Sequence, residues 1–358
     1  MCSNLLFARL AVAVLVLSGA VFSGRSCADT WHLADDGQWK KVADDEAGKY
    51  MLDVAEVKRL ISVGRVDSAQ QALEQLKTDF PDIAGPDLDA FMEAEMLYGA
   101  GKWAKAVKKY DEFIEAWPQS PLYESALERE YAIATAFLGG EKRKVLKVLK
   151  LSAYEEGVKI MRRIADRAGD APIAERALIS VARSCEKRGS FYVADPDKTG
   201  AYEVWAEISA RWPTGGLGRD AMLGMAHSLH SAYRSCKYDS SGLESARRYY
   251  EDFKERYSQL ADEHNIDAKI KMVDEQLAYK QFAIGEYYER SGNRQAANLY
   301  YQMVSDDWPG TDAAAMAKAK LEATETREPS PKKERSIRRR LFDAGNTFLD
   351  SWFGLGRL

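Results

Sequence analysis

Prolines and runs of β-branched residues are scarce in this sequence. Only 10 of its 358 residues are prolines, and alanine, leucine, glutamate and lysine fill long stretches in which β-branched residues rarely follow one another. Because proline interrupts helices and β-branched residues favour strands, this composition predicts an all-α protein and disfavours a β-sandwich or a parallel α/β sheet. A hydrophobic content of 46% is enough for a substantial core, so we do not expect a disordered chain.

Residues and motifs of catalysis are scarce as well. Of the four histidines, His227 and His230 could share a helix face, but neither an HExxH motif nor companion carboxylates accompany them. The sequence contains no G-x-S-x-G motif, no Walker loop and no dinucleotide fingerprint. We therefore predict no enzyme activity, no metal and no cofactor, and the net charge of −4 disfavours nucleic acid as a partner. A hidden acid/base pair, as in a lytic glycosidase, is the alternative that spacing leaves open.

Long hydrophobic runs are confined to the N-terminus. Arg9 precedes an apolar run over residues 10–22 and small residues follow it, which predicts a signal peptide over residues 1–28. The run is shorter than the roughly 20 residues of a membrane-spanning helix, so we expect an exported protein without one. Two cleavage sites remain open. Ala28 could end an ordinary signal, or Cys27 could follow a degenerate lipobox and carry a lipid.

Cysteine is equally rare. Cys2 and Cys27 belong to the signal region, which leaves Cys185 and Cys236 in the rest of the chain. An exported compartment would permit a disulfide between them. The alternative is that both are small buried hydrophobic residues.

An aromatic residue followed by proline recurs at Phe80, Trp117, Trp212 and Trp308. In the two clearest copies the preceding residues match at identical spacing: Gly101, Ala106, Tyr110, Phe113, Trp117 and Pro118, and Gly292, Ala297, Tyr301, Val304, Trp308 and Pro309. The glycine predicts a turn, the alanine predicts a close helix crossing, and the proline predicts a helix end. Each copy is therefore predicted to be the second helix of a helical hairpin.

The copies differ in regularity. The copy that ends at Pro81 keeps the register, those that end at Trp212, Tyr257 and Ala168 are looser, and an enlarged turn is expected over residues 194–200. In the last copy Ile284, Gly285 and Tyr288 also mark the first helix. Stacked hairpins of this kind predict a right-handed solenoid of about five to six units over residues 45–323.

The pattern around Gly285 and Pro309 resembles the tetratricopeptide repeat, although the copies here are 37 to 51 residues apart. The chain has a predicted export signal, Cys27 and the motif YDEFIEAWPQS from Tyr110 to Ser120. In this combination it also resembles the outer-membrane assembly lipoproteins, the BamD or ComL-like subunit of the β-barrel assembly machinery. That resemblance implies a protein-binding scaffold at the periplasmic face of the outer membrane. Its expected partners are other assembly subunits and unfolded outer-membrane protein clients. The alternative is a general, unlipidated periplasmic scaffold for cell-envelope coordination.

The inner face of such a solenoid is lined by the first helix of each hairpin. Inner-face positions two, five, nine and twelve, counted from Tyr50 and Asp87, give eight residues in the first two hairpins. Four of them are the candidates for contact with a peptide, namely Lys58, Phe91, Glu95 and Tyr98. Ordinary packing between helices is the alternative for Phe91. Lys58, Glu95 and Tyr98 are the stronger candidates, since a core tolerates the charge of the first two poorly.

The C-terminal region differs in composition from the rest of the chain. Prolines and basic residues over 324–336 predict a linker, and apolar residues at helical spacing predict an amphipathic tail over 337–358. One interpretation is that the tail binds an anionic membrane surface through Arg338, Arg339, Phe348 and Trp352. The others are that it binds the groove of a partner or caps the last hairpin. Residues 29–44 are predicted to be an N-terminal linker.

Overall fold

A computed structural model describes the backbone of residues 31–33, 39–41, 46–145, 149–193 and 199–325. The helices are α1 Glu46–Ser62, α2 Val66–Asp79, α3 Pro86–Gly99, α4 Trp103–Ala116, α5 Tyr123–Leu138, α6 Tyr154–Ala168, α7 Pro172–Lys187, α8 Ala201–Arg211, α9 Gly215–Ala232, α10 Ser241–Arg256, α11 Ser258–Ala261, α12 Ile266–Ser291, α13 Arg294–Asp307 and α14 Asp312–Glu325. The strands are β1 Trp31–Leu33, β2 Trp39–Lys41, β3 Lys142–Val145 and β4 Leu149–Ser152.

The helices pair into six successive hairpins. These are α1 with α2, α3 with α4, α5 with α6, α7 with α8, α9 with α10 and α12 with α13. Each hairpin packs on the next, and α14 follows the last. The predicted all-α solenoid of five to six hairpins is confirmed. None of the helices in the described part of the chain is both long enough and apolar enough to cross a membrane.

Aromatic residues mark the ends of the second helices. Phe80, Trp117, Trp212 and Trp308 each follow directly on the last helical residue, with φ between −127° and −131°. The backbone N–H of each still donates to the carbonyl four residues earlier. Because proline disfavours a helical conformation in the residue before it, the aromatic–proline pair ends the helix there. Tyr257 ends α10 with the same geometry, although serine follows it.

Glycines form the turns between first and second helices. Gly64, Gly101 and Gly292 have φ of 75°, 68° and 83°, in the left-handed region that favours glycine. Each donates its N–H to the carbonyl three residues earlier, which closes the turn. The predicted role of glycine at these positions is confirmed.

Small residues allow the helices of a hairpin to approach closely. The alanines predicted at the crossing points, Ala69, Ala106, Ala201, Ala246 and Ala297, are all at most 1% exposed. Buried residues form three clusters, and these are joined because Tyr202 and Tyr249 pack against the first two while Trp308 packs against the last two. The core therefore continues through all six hairpins.

Two short strand pairs interrupt the helical pattern, and the sequence did not predict them. The β1–β2 pair lies within the predicted N-terminal linker, and the β3–β4 pair is inserted between the two helices of the third hairpin. In the second pair Lys142 lies opposite Ser152 and Val145 opposite Leu149. The three residues between β3 and β4 contain no glycine, proline, asparagine or aspartate, so the usual sequence signal of a hairpin turn is missing.

α14 packs against α12 and α13 at the end of the solenoid. Its first backbone N–H groups, at Asp312 and Ala313, donate to the Glu275 carboxylate of α12 at 2.8 and 3.0 Å. A carboxylate at this position accepts from backbone N–H groups that have no partner within the helix, and its negative charge is attracted to the positive end of the helix dipole. The last hairpin is thus covered by α14, whereas the predicted amphipathic tail lies outside the described residues.

Cys185 and Cys236 are both free thiols. Cys185 is fully buried, with its Sγ 3.4 Å from the Tyr154 hydroxyl, and burial raises the pKa of this thiol. Cys236 is half-buried in the loop after α9. The buried-hydrophobe interpretation therefore holds for Cys185.

Candidate peptide-binding site

The first helices of the four N-terminal hairpins, α1, α3, α5 and α7, are connected by a row of polar and aromatic contacts. We call this row the first-helix ladder, and it consists of Lys58, Phe91, Glu95, Tyr98, Arg129, Tyr131 and Arg176. Every first helix from α1 to α7 contributes at least one member.

Glu95 of α3 lies at the centre of the ladder and is fully buried. Its carboxylate accepts two hydrogen bonds from the Arg129 guanidinium of α5, at 2.7 and 2.9 Å, and a third from the Tyr110 hydroxyl at 2.8 Å. Burial, together with this carboxylate, raises the pKa of Tyr110 well above its usual range, so the phenol remains protonated and donates. A bidentate, fully satisfied pair is the arrangement in which a buried carboxylate is tolerated.

Lys58 of α1 lies beside this pair. Its Nζ is 5.6 Å from the centroid of the buried Phe91 ring, within the range of a cation–π contact. Burial lowers the pKa of Lys58, and the negative charge of Glu95 opposes that effect. Lys58 is half-buried, so part of its side chain remains open to a bound segment.

Arginines continue the ladder over tyrosine rings. The Arg129 guanidinium lies 4.6 Å from the centroid of Tyr98, and that of Arg176 lies 5.0 Å from the centroid of Tyr131. Arg176 also pairs with Glu128 of α5, and the Tyr131 hydroxyl is 2.9 Å from Ser180 Oγ. Tyr98, Tyr131 and both arginines are half-buried, so parts of these four side chains lie at the surface of the ladder.

The structure brings the four predicted residues together but divides them between surface and core. Lys58 and Tyr98 are at the surface, as the groove interpretation requires. Phe91 and Glu95 are both 0% exposed, so neither can touch a peptide, and their assignment as contact residues is corrected. Phe91 packs on Tyr110 and Phe113, and Glu95 positions Arg129.

Sequence reasoning missed Arg129, Tyr131 and Arg176. The third hairpin was recognised only through its irregular second helix, so its first helix had no register from which inner-face positions could be counted. The available signal was the charged run Glu128, Arg129 and Glu130 inside an otherwise apolar helix. Such a run on the buried side of a helix indicates paired charges.

A second charged cluster lies between α4, α5 and α6. Glu130 is fully buried, and neither of its carboxylate oxygens makes a hydrogen bond among the described residues. Arg167 lies 3.5 Å from it but donates to Asp111 at 2.6 Å, and Arg163 also pairs with Asp111. Burial raises the pKa of Glu130 to about 8, with Asp111 adding to the effect. Burial therefore outweighs the arginines and favours the protonated form of Glu130.

Two of the histidines, His227 and His230, make aromatic contacts. The rings of His227 and His230 pack edge-on against Phe191 and Tyr250, and burial lowers the pKa of His230. Over the ranges that the structure describes, no three metal-ligating side chains lie together. The lipidation candidate Cys27 and the tail candidates Arg338, Arg339, Phe348 and Trp352 fall outside those ranges.

Comparison with known families places one repeat in this region. The tetratricopeptide repeat matches residues 90–120, which cover most of α3, all of α4 and the turn that follows. A search of curated protein sequences found no match. The chain therefore contains a tetratricopeptide repeat within an all-helical solenoid, a combination typical of non-enzymatic scaffolds for protein interactions.

Proposed function

We propose that the chain is a non-enzymatic subunit of the outer-membrane β-barrel assembly machinery that binds unfolded client segments on its first-helix ladder. The observation that carries this proposal is the convergence of Lys58, Tyr98 and Arg129 at the surface of the ladder. Cations and aromatic faces held in place by buried partners suit a peptide that offers carboxylates and aromatic side chains. Several weak contacts of this kind can be made and released, as client transfer requires.

The binding step is tested with Tyr98→Ala combined with Lys58→Glu. This change removes a ring and reverses a charge at the surface of the ladder, so we expect the affinity for a labelled C-terminal peptide of an outer-membrane protein to fall about tenfold or more. Fluorescence anisotropy measures the affinity, and circular dichroism checks that helicity is retained. The control, Tyr279→Ala with Lys108→Glu, changes exposed residues of the same types on α12 and α4 and should leave the affinity unaltered. Equal affinity of the ladder variant and the wild type would move the site elsewhere.

The membrane location is tested separately, because the signal region lies outside the described residues. We expect the exported protein to fractionate with the outer membrane and to carry a diacylated or triacylated Cys27 in its intact mass. A soluble chain that begins at Asp29 would instead support the general periplasmic scaffold. Both outcomes leave the binding test on the ladder valid.

A further inference from the structure

An open cleft of about 490 Å³ lies in the C-terminal half, where α9 ends and α8 and α10 begin. It is outside the first-helix ladder. Its walls include four tyrosines, an apolar residue and a carboxylate: Tyr192, Tyr202, Leu229, Tyr233, Tyr238 and Asp239. We call it the tyrosine cleft.

Two rings of the tyrosine cleft, those of Tyr192 and Tyr238, are not needed to fill the core. Tyr192 and Tyr238 are 53% and 56% exposed, and Tyr192 stands edge-on to Tyr202 with ring centroids 5.9 Å apart. The Tyr233 hydroxyl is buried and has no hydrogen-bond partner among the described residues. Exposed tyrosines around a cleft with a free hydroxyl are typical of a recognition surface. Aromatic-lined grooves bind proline-containing segments in extended form, and aromatic rings also attract lysine and arginine.

One segment of this chain has that chemistry. Residues 327–340, REPSPKKERSIRRR, combine two prolines with seven basic and two acidic residues. Residues 199–325, which form the surface around the cleft, carry 20 acidic and 15 basic side chains. The two parts are therefore complementary in charge, and Asp239 and Glu244 supply exposed carboxylates at or beside the cleft.

The segment also begins close enough to reach the cleft. The last turns of α14 lie beside the end of α12, where Lys320 Nζ is 2.7 Å from Glu289 Oε2. α12 reaches the rim of the cleft through Lys280, whose amine donates to the Tyr238 carbonyl. Lys280 and Glu289 are nine positions apart on α12, about 14 Å, and α14 runs in the same direction for five positions beyond Lys320, which adds about 8 Å. The eight residues from 326 to 333 span up to about 27 Å when extended.

We propose that residues 327–340 bind to the tyrosine cleft of their own chain. Pro329 and Pro331 pack on the exposed rings, and Lys332 and Lys333 lie against Asp239 and Glu244. In this arrangement the basic segment covers a surface that a second protein would otherwise meet. Binding in the tyrosine cleft does not depend on client binding at the ladder, so either can fail without the other.

Zero-length carbodiimide cross-linking of the full chain, followed by mass spectrometry, tests this directly. We expect a linkage from Lys332 or Lys333 to Asp239 or Glu244 at low ionic strength, and a lower yield at high salt because exposed charges are screened. Mixing isotopically light and heavy protein distinguishes linkage within a chain from linkage between copies. Tyr192→Ala with Tyr238→Ala should lower the yield about fivefold, since it removes the exposed rings. Met272→Ala with Leu299→Ala, which changes exposed apolar residues outside the cleft, should not lower it.

A second variant keeps the test valid if the tyrosine variant does not fold. Arg338→Glu, Arg339→Glu and Arg340→Glu leave both lysines and every described helix unchanged, and they should lower the same yield. The proposal is overturned if the linkage is absent in the wild type, if it forms only between light and heavy copies, or if neither set of variants reduces it. It is also overturned if the segment becomes protected from hydrogen exchange only when vesicles of anionic phospholipid are added.

Discussion

The helices of the N-terminal half, α1 to α7 over residues 46–187, and those of the C-terminal half, α8 to α14 over residues 201–325, repeat the same turns and helix ends but are joined through different chemistry. In the N-terminal half buried carboxylates contact arginines, as at Glu95 and Glu130. In the C-terminal half glycines lie beneath aromatic rings, as at Gly224 and Gly285. All four tyrosines among the exposed large hydrophobic residues of the described chain follow α7. One repeat pattern thus places buried ion pairs in one half and exposed tyrosines in the other.

The largest effect is expected where the N-terminal half depends on a buried charge. Glu95→Ala leaves the Arg129 guanidinium and the Tyr110 hydroxyl without their shared acceptor, which should lower the free energy of unfolding by about 3–5 kcal/mol. Denaturant titration followed by circular dichroism measures this change. Glu112→Ala is the matched control, because this exposed carboxylate pairs only with lysines at the surface and should have little effect. A small loss for Glu95→Ala would mean that the ladder does not stabilise the N-terminal half.

The same half should also respond to pH through Glu130. Its pKa rises from 4.5 in the unfolded chain to about 8 in the folded protein. The stability that this carboxyl group contributes is therefore fully present below pH 4.5 and is lost as the pH rises through 8. Glu130→Gln removes this dependence. Between pH 5 and 8 we expect the free energy of unfolding of the variant to rise relative to that of the wild type, by at most about 1.4 kcal/mol per pH unit.

Unfolding free energies measured across this pH range test the effect of Glu130. Glu115→Gln, at an exposed carboxylate that pairs with the same Arg167, should show no such trend. Parallel curves for wild type and Glu130→Gln would show that this carboxyl group keeps its charge in the folded protein.

In the C-terminal half the sensitive residues are glycines. A Cβ at Gly224 would lie 2.4 Å from the Trp205 ring, and one at Gly285 would lie 2.6 Å from the Tyr301 ring. Both rings are almost fully buried, so each would have to shift against its neighbours. We therefore expect each glycine-to-alanine change to lower the free energy of unfolding by about 1–3 kcal/mol. Gly310→Ala, where a Cβ meets open space, is the control. Thermal or chemical unfolding measures the cost, and equal stability of all three variants would remove this distinction between the halves.

The smallest effect concerns the start of the second helices. Asn293 caps α13 by accepting a hydrogen bond from the Ala296 N–H, whereas Lys102 occupies the same position before α4 without a side-chain cap. Asn293→Lys should lower the free energy of unfolding by about 0.5–1 kcal/mol, and Lys102→Asn should raise it by a similar amount. Denaturant midpoints measure both changes. Opposite signs at the two positions would confirm that capping differs between the halves, and equal signs would contradict it.

The candidate site was less predictable than the helices around it. Lys58 and Tyr98 are half-buried, whereas Glu95, expected at the groove because carboxylates are rarely buried, lies in the core. Its burial depends on Arg129, which lies 34 residues later in a hairpin whose first helix showed no readable register. The tyrosine cleft is also formed by separate segments, the loop before α8, the end of α9 and the start of α10, so no local pattern marks it.

The sequence by itself determined where the helices turn and end. Gly64, Gly101 and Gly292, and the aromatic residues before proline, act through the conformations that their own backbone permits, so their effect is local and readable. Only the tertiary structure decided which charged residues are buried and which aromatic residues remain exposed. Glu95 and Tyr238 differ in this respect because burial is set by the neighbours that packing brings from distant hairpins.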